Sequence, residues 1–178
     1  MSGLQLCRAG VGDLAAINRD VQAGFDSYAA FAPAGWRPPQ VATEAQTTTT
    51  LLEDPNTWAL IALHDGEPVG HVAFFPGRER ASTEAPSDWR TRPVIPGVAH
   101  LWQLFVLAPW WGHGVAPALH EAAVTEMRGR AFTRARLYTP AAHGRARRFY
   151  ERRGWVSAGD AFHEGLGLEL TEYWLALT

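Results

Sequence analysis

The chain has 178 residues, of which 47% are apolar and 11% aromatic, enough to build one hydrophobic core with little room for a second domain. Its 16 basic and 18 acidic side chains give a net charge of -2, which indicates neither a nucleic-acid partner nor an anionic membrane surface. No apolar run approaches the ~18 residues that span a bilayer, and no secretory leader is recognisable. We therefore predict a single cytoplasmic domain over residues 1–178, with a homodimer left open.

The first predicted elements are a strand and a helix. Residues 4–8 alternate between apolar and polar side chains, which predicts a short strand, and apolar side chains then recur at helical spacing until the pattern fades near Gly24. Residues 25–40 are rich in aromatic side chains and proline and predict a loop. Cys7, the one cysteine, excludes an internal disulfide and fits a reducing compartment, and we predict a buried structural thiol rather than a nucleophile.

A second helix and a hairpin follow. Residues 41–52 predict a helix that an Asp-Pro-Asn sequence ends. Residues 58–75 form two apolar segments around an Asp-Gly dipeptide, which predicts an antiparallel hairpin. Residues 76–97 are rich in proline, glycine and charge, and they predict a long surface excursion.

The second half of the chain alternates strands and helices. Residues 98–107 are almost wholly apolar, which predicts a central strand covered on both faces. The remaining predicted elements are a helix over residues 115–129, a strand over residues 135–138, a helix that ends at Gly154, and strands over residues 155–162 and 166–177. The complete order predicts a mixed sheet with helices on its faces.

The turn between the central strand and the next helix carries the strongest chemical signal. Gly112 and Gly114 stand at a helix start, where unpaired amides and the helix dipole attract an anion such as a phosphate. A dinucleotide fingerprint is excluded because Pro117 stands where it needs Gly or Ala, and a P-loop is excluded because the turn has no lysine. A tight turn that binds no ligand remains an equal alternative on this motif alone.

Two segments together resemble the GNAT superfamily of N-acetyltransferases. The segment VLAPWWGHGVAPAL resembles its coenzyme A signature Q/R-x-x-G-x-G/A, and HGRARRFYERRGW resembles its second signature, Asn-x-x-Ala-x-x-hydrophobic-Tyr-Glu-x-x-Gly-Phe. The resemblance implies one α/β domain (mixed α+β) around a central, mostly antiparallel sheet of about seven strands, with helices on both faces. It also implies transfer of an acetyl group from acetyl-CoA to a primary amine of an unidentified small molecule or a protein N-terminus. The alternative is a non-catalytic acyl-CoA-binding sensor or an interaction module.

The resemblance also implies how the cofactor is held. The backbone of Leu104, Phe105 and Val106 pairs with the pantetheine arm, and the amide near Val106 polarises the thioester carbonyl. Trp111 replaces the usual Arg or Gln, and His143 stands where Asn is usual but can still donate a hydrogen bond to the arm. The pyrophosphate lies on the helix start, against Gly112, His113, Gly114, Val115 and Ala116, with Pro117 able only to pack.

Two side chains are the candidate catalytic groups. Tyr150, in register with the tyrosine of the second signature, is the predicted general acid for the departing thiolate, and the alternative is a core aromatic beside Phe149. His100, in register with a glutamate position of some superfamily members, is the candidate base, with a water chain or a purely structural histidine as alternatives. Gln103 cannot act as a base, and we predict a contact with substrate or a packing role.

We expect neither a metal nor a nucleic-acid partner. His113 and His120 lie two helical turns apart without a nearby cysteine cluster, so no metal is assigned. The arginines within residues 145–153 predict a solvated helix face, partly near the cofactor phosphates. The acceptor remains open, and loop position alone supplies candidates for its wall. These are Asp26, Tyr28, Phe31, Trp36, residues 76–97, His163 and Glu164.

Overall fold

The structure is a computed structural model that describes residues 3–41, 45–80 and 89–177. The strands of the described chain are β1 (Leu4–Arg8), β2 (Trp58–His64), β3 (Glu67–Arg78), β4 (Val94–Val106), β5 (Arg134–Pro140), β6 (Val156–His163) and β7 (Leu168–Ala176). The α-helices are α1 (Leu14–Ser27), α2 (Ala45–Glu53), α3 (Val115–Gly129) and α4 (Gly144–Glu151). The strands form one sheet in the order β1-β2-β3-β4-β5-β7-β6, and only β4 and β5 pair in parallel. The predicted mixed, mostly antiparallel sheet is therefore confirmed.

The first helix is longer than predicted. It continues past Gly24 to Ser27 and into a 3-10 turn, so the predicted loop over residues 25–40 begins later. Phe25 belongs to the apolar face of this helix, and its ring lies 6.0 Å from that of Phe105 on β4. A glycine inside a helix costs only about 1 kcal/mol relative to alanine, and this packing offsets it.

The predicted surface excursion over residues 76–97 is largely strand at both ends. β3 extends to Arg78 and β4 begins at Val94, and these two residues pair with each other. The proline and glycine residues of this segment do not resemble a strand, so the sequence did not predict the pairing. A register shift near Arg78 lets the ladder accommodate them. Residues 81–88 of the excursion, and residues 42–44 of the predicted second helix, lie outside the described part of the chain.

The predicted hairpin is confirmed. Its turn residues, Asp65 and Gly66, have φ angles of 51° and 85°, the left-handed conformation that two-residue hairpin turns require. The prediction for Cys7 is wrong, because its side chain is exposed. Leu4 and Leu6 of β1 pack against the core, and Cys7 lies with Gln5 on the opposite, exposed face of the strand.

Two layers of side chains cover the sheet. On one face, Phe74 and Leu119 belong to a large core between the strands and α3. On the other face, a smaller cluster forms around Ile17 and Val21 of α1. The alternation of strand side chains places neighbouring residues of one strand in these opposite layers. Among the described helices, none is long and apolar enough to cross a membrane.

The parallel pair at the centre of the sheet opens into a cleft. β4 and β5 are paired at only three positions, from Val98 with Arg134 to His100 with Arg136. Beyond them the strands diverge, and the space between them is a cleft of about 930 Å³. The second half of β4 therefore has one hydrogen-bonding edge paired with β3 and the other facing the cleft.

Candidate active site

The edge of β4 presents backbone groups to the cleft. The amide of Leu107 donates to the carbonyl of Val69 at 3.0 Å, which makes the Val106–Gly70 pair a non-hydrogen-bonded pair of the ladder. The N–H and C=O groups of Val106, and by alternation those of Leu104, therefore point away from β3 and toward the cleft. Those of Phe105 point toward β3, so the structure corrects the prediction that all three residues present their backbone to a ligand.

Trp111 makes a contact that the signature does not contain. Its indole Nε1 donates a 2.7 Å hydrogen bond to the carbonyl oxygen of Val106. The guanidinium of Arg145 lies 3.9 Å from the centre of the same ring. Trp111 thus joins the end of β4 to the start of α4, and it holds the carbonyl of Val106 while the amide of that residue stays directed at the cleft.

The start of α3 has the conformation that an anion site needs. Gly112 and Gly114 both have a φ of 83°, and open space surrounds the position that a Cβ would take at each. Gly114 is the N-cap of the helix, and no side chain caps it. The amides of Val115 and Ala116 belong to the first turn, where no intrahelical acceptor exists, so this donor set fits a diphosphate.

The predicted cofactor contacts divide between the cleft and the turn that leads to it. Ala116 and His143 line the cleft. His113 is exposed, Val115 is buried in the core with only its amide available, and Pro117 lacks an N–H. The ring of His143 stacks on Phe31 at 4.9 Å, and burial, followed by the charge of Arg145, lowers the pKa of His143.

Tyr150 lies where the cleft meets the core. It is 8% exposed and lines the cleft. Its ring lies 5.8 Å from that of Trp155 and 6.3 Å from that of Tyr173. Burial raises the pKa of the Tyr150 phenol, and the nearby Tyr28 hydroxyl adds to this shift. Tyr150 is thus a core aromatic residue whose phenol is protonated and borders the cleft. The two interpretations of the sequence, a general acid and a core aromatic, therefore do not exclude each other.

His100 also lines the cleft, with an environment that the sequence did not reveal. Its ring lies 5.2 Å from that of Phe75 and 5.6 Å from that of Tyr138. Burial, followed by the charge of Arg136, lowers the pKa of His100 from 6.5 to about 3. The ordinary histidine pKa assumed for a general base is therefore wrong here, although the imidazole is neutral at pH 7. Its Nδ1 is buried without a hydrogen-bond partner.

A series of buried, hydrogen-bonded polar side chains beside the cleft was not predicted from the sequence. His71 is fully buried, and its Nε2 lies 3.0 Å from Oε1 of Gln103, a cleft-lining residue. On its other side, Nδ1 lies 3.4 Å from Oδ2 of Asp20, and Arg19 contacts the other oxygen, Oδ1, of the same carboxylate at 2.7 Å. Gln103 is thus held in place by hydrogen bonding. The sequence signal for this series of hydrogen-bonded side chains is Asp20, an acidic residue among the apolar residues of α1.

The remaining predicted histidines have separate environments. Nε2 of His120 accepts a hydrogen bond from the indole of Trp155 at 2.9 Å. Burial, followed by the charge of Arg153, lowers the pKa of His120 to about 4. His113 is exposed, and its ring lies 5.9 Å from that of Trp110. Across the residues with described placement, no three His, Cys, Asp or Glu side chains gather in a way that could hold a metal ion.

The loop candidates for the acceptor wall are only partly brought to the cleft. Tyr28 and His163 line it. Phe31 stacks on His143, and Trp36 donates a 2.8 Å hydrogen bond to the carbonyl of Leu166, so both hold the loop in place. Asp26 and Glu164 are not among the cleft-lining residues.

The arginine-rich segment is solvated in part, as predicted: Arg145, Arg148 and Arg152 are exposed, whereas Arg147 and Arg153 pack on the fold. The guanidinium of Arg153 lies 3.8 Å from the centre of the Phe149 ring. Arg147 donates to the hydroxyl of Tyr173 at 3.1 Å and to the carbonyl of Ala141 at 3.1 Å. These side chains pack on the fold rather than forming a free cationic surface.

Comparison with known proteins places the chain in a family. The profile of the acetyltransferase (GNAT) family matches residues 21–155, and the chain belongs to this family. The resemblance seen in the two sequence segments is therefore confirmed. A comparison with curated protein sequences gives no match.

Solved structures of N-acetyltransferases share the fold. One from Staphylococcus aureus Mu50 has a TM-score of 0.73 and 16% identity, covering 99% of this chain and 100% of that one. The ribosomal-protein-S18-alanine N-acetyltransferase from Escherichia coli has a TM-score of 0.67 and 14% identity, and the match covers 99% of this chain and 95% of that one. The PaiA N-acetyltransferase from Thermoplasma acidophilum, solved in complex with coenzyme A, has a TM-score of 0.67 and 13% identity, covering 96% and 98%. At these identities the likeness concerns the fold.

Proposed function

We propose that the chain transfers an acetyl group from acetyl-CoA to a primary amine by direct attack inside the cleft. The observation that carries this proposal is that the outward backbone of β4 and Tyr150 line one cleft, and that the amides opening α3 stand at the turn leading to it, where Ala116 reaches the cleft wall. The family makes acetyl transfer the general activity. The coenzyme A bound to the Thermoplasma neighbour supports the choice of donor.

The donor would lie along β4 with its diphosphate at α3. The amides of Gly114, Val115 and Ala116 would hold the phosphates, and Arg145, which lines the cleft against Trp111, would add a positive charge. Leu104 and Val106 would pair with the pantetheine arm as a further strand would. The amide of Val106 would then donate to the acetyl oxygen, on which negative charge develops during attack.

Two proton transfers accompany the reaction. Acetyl-CoA supplies a thioester, and the amine nitrogen forms a bond to its carbonyl carbon while the carbon–sulfur bond breaks. Tyr150 donates a proton to the departing sulfur, and its raised pKa keeps the phenol protonated at neutral pH. The amine loses a proton, which a water chain carries away. His100 stays a candidate base, but its pKa of about 3 makes it a weak one.

The Tyr150→Phe variant tests this assignment. We expect the turnover number to fall by about 100-fold or more, with acetyl-CoA affinity unchanged, because the phenol acts on the leaving group rather than on binding. Tyr173→Phe is the matched control, since Tyr173 is a neighbouring buried tyrosine whose hydroxyl donates to Glu151 at 2.7 Å. Equal turnover in Tyr150→Phe and wild type would remove Tyr150 from the mechanism. Acetyl-CoA binding without acetylation of any amine in a broad panel would favour a non-catalytic sensor.

A further inference from the structure

Among the described residues, one arginine beside the cleft is buried without an ion-pair partner. Arg136 lies on β5, is 6% exposed and lines the cleft. It donates a 2.8 Å hydrogen bond to the carbonyl oxygen of Arg78, and its guanidinium lies 5.4 Å from the centre of the Tyr138 ring and 5.8 Å from that of Trp174. Its Nε is buried and has no hydrogen-bond partner in the described part of the chain. The side chain is therefore positioned by a neutral carbonyl and two aromatic rings.

A neighbouring carboxylate in the sheet, that of Glu172, which pairs with Tyr138, is already engaged. Glu172 forms an ion pair with Arg80 and accepts a 3.0 Å hydrogen bond from the indole of Trp174. Within the described ranges, no carboxylate pairs with Arg136. Burial lowers the pKa of the Arg136 guanidinium, Tyr138 opposes this shift, and the charge of Arg80 adds to it. A guanidinium remains charged in proteins, and an unpaired buried charge is costly. The free protein thus pays for a positive charge that a bound anion would neutralise.

A second unpaired atom lies next to this guanidinium. His100 is directly opposite Arg136 in the parallel register, and its Nδ1 is buried without a partner. In the neutral tautomer that is protonated at Nε2, Nδ1 carries a lone pair. The site then offers a charged donor and a neutral acceptor side by side on one wall of the cleft.

We propose that the acceptor is a primary amine that also carries a carboxylate, and that Arg136 binds this carboxylate through Nε. The lone pair of His100 accepts an N–H from the same molecule. This inference rests on the proposed acetyl transfer, and it names the class of acceptor. Both a free amino acid and a peptide N-terminus with a nearby acidic side chain have this chemistry.

The experiment compares acids with matched amides. The twenty L-amino acids and their carboxamides are supplied with saturating acetyl-CoA, together with an Asp-Gly peptide amide, and acetylated product is measured by mass spectrometry. We expect at least one carboxylate-bearing amine to be acetylated with a kcat/KM at least 10-fold above that of its amide, because a charged hydrogen bond is lost in the amide. If the peptide is acetylated and the free amino acids are not, the carboxylate that Arg136 binds is the acidic side chain of a peptide N-terminus.

Two variants assign the effect to one arginine. Arg136→Gln should lower kcat/KM for the acid by about 10- to 100-fold and bring the acid-to-amide ratio close to one. Its melting temperature should equal or exceed that of wild type, because an unpaired buried charge has been removed. Arg134→Gln is the matched control: Arg134 is an exposed residue of the same strand, lies 5.1 Å from the Trp174 ring, and is outside the cleft lining, so the ratio should be kept.

The outcomes separate this inference from the proposed function. Amides acetylated as well as acids overturn the inference and leave acetyl transfer intact. A lower melting temperature in Arg136→Gln with an unchanged acid-to-amide ratio also overturns it, because the residue is then structural. If no amine is turned over, the same panel is titrated onto the acetyl-CoA complex. The inference is then refuted if no acid binds better than its amide, or if Arg136→Gln leaves that preference unchanged. Failure to bind acetyl-CoA at all instead refutes the proposed function.

Discussion

Acidification should destabilise this protein steeply below pH 6.5, because two histidines are buried in their neutral form. His100 has a pKa of about 3 and His120 a pKa of about 4, both lowered by burial from 6.5. The unfolded chain binds a proton at each histidine below pH 6.5, whereas the folded chain does not until the lower pKa is reached. Stability is therefore fully present above the unfolded pKa and falls as the pH falls toward the folded values.

The size of the effect follows from the two shifts. Each histidine contributes a slope of up to about 1.4 kcal/mol per pH unit below pH 6.5, so the pair removes about 3 kcal/mol between pH 6.5 and pH 5. This is a large part of the roughly 5–15 kcal/mol that stabilises a typical domain. Protonation of His120 at Nε2 also removes the acceptor that the indole of Trp155 uses.

Urea unfolding at a series of pH values measures this directly. Wild type should lose about 3 kcal/mol from pH 6.5 to pH 5, and His100→Gln and His120→Gln should each lose about half as much. His113→Gln is the control, because His113 is exposed and its replacement should keep the wild-type slope. A wild-type free energy of unfolding that is flat over this interval would show that the two imidazoles are not held neutral, and the cause given for their shifts would be wrong.

Three further substitutions or reactions test the packing. Gly24→Ala should destabilise the protein by about 1–3 kcal/mol in urea unfolding, because the added Cβ would lie 2.1 Å from a carbon of the Phe105 ring. Gly129→Ala is the control and should not destabilise the protein, because no atom lies within 4 Å of the added Cβ. Asp20→Asn should cost about 2–3 kcal/mol by breaking the buried contacts of its carboxylate, and a cost below 0.5 kcal/mol would contradict that account. Cys7 should react stoichiometrically with a thiol reagent in the native protein, and protection until unfolding would contradict its exposure.

Local chemistry made part of the fold predictable. The hairpin turn needed two left-handed residues, and Asp65-Gly66 is a dipeptide that adopts this conformation. The α3 helix runs from Val115 to Gly129 as predicted, because glycines flank it and its apolar spacing is regular. The two signatures likewise depend on residues close together in the chain, so the family could be recognised before the structure.

Contacts between distant segments explain the failures. The continuation of α1 past Gly24 depends on the ring of Phe105, 81 positions later in the chain by the printed numbering. The low pKa of His100 and the unpaired Nε of Arg136 arise from the register of two strands separated by a whole helix. No local pattern encodes such an environment, because it is created when β4 and β5 meet and then diverge.

The most direct measurement is an amide-resolved NMR titration of the protein with acetyl-CoA. The proposed function predicts saturable binding, with the largest shifts at Val106 on β4 and at Gly112, Gly114, Val115 and Ala116 where α3 begins. Pantetheine alone should shift Val106 while leaving the α3 amides largely unchanged, since it carries no diphosphate. No binding at millimolar acetyl-CoA, or saturation without shifts at the α3 amides, would contradict the placement of the cofactor on which the proposed reaction depends.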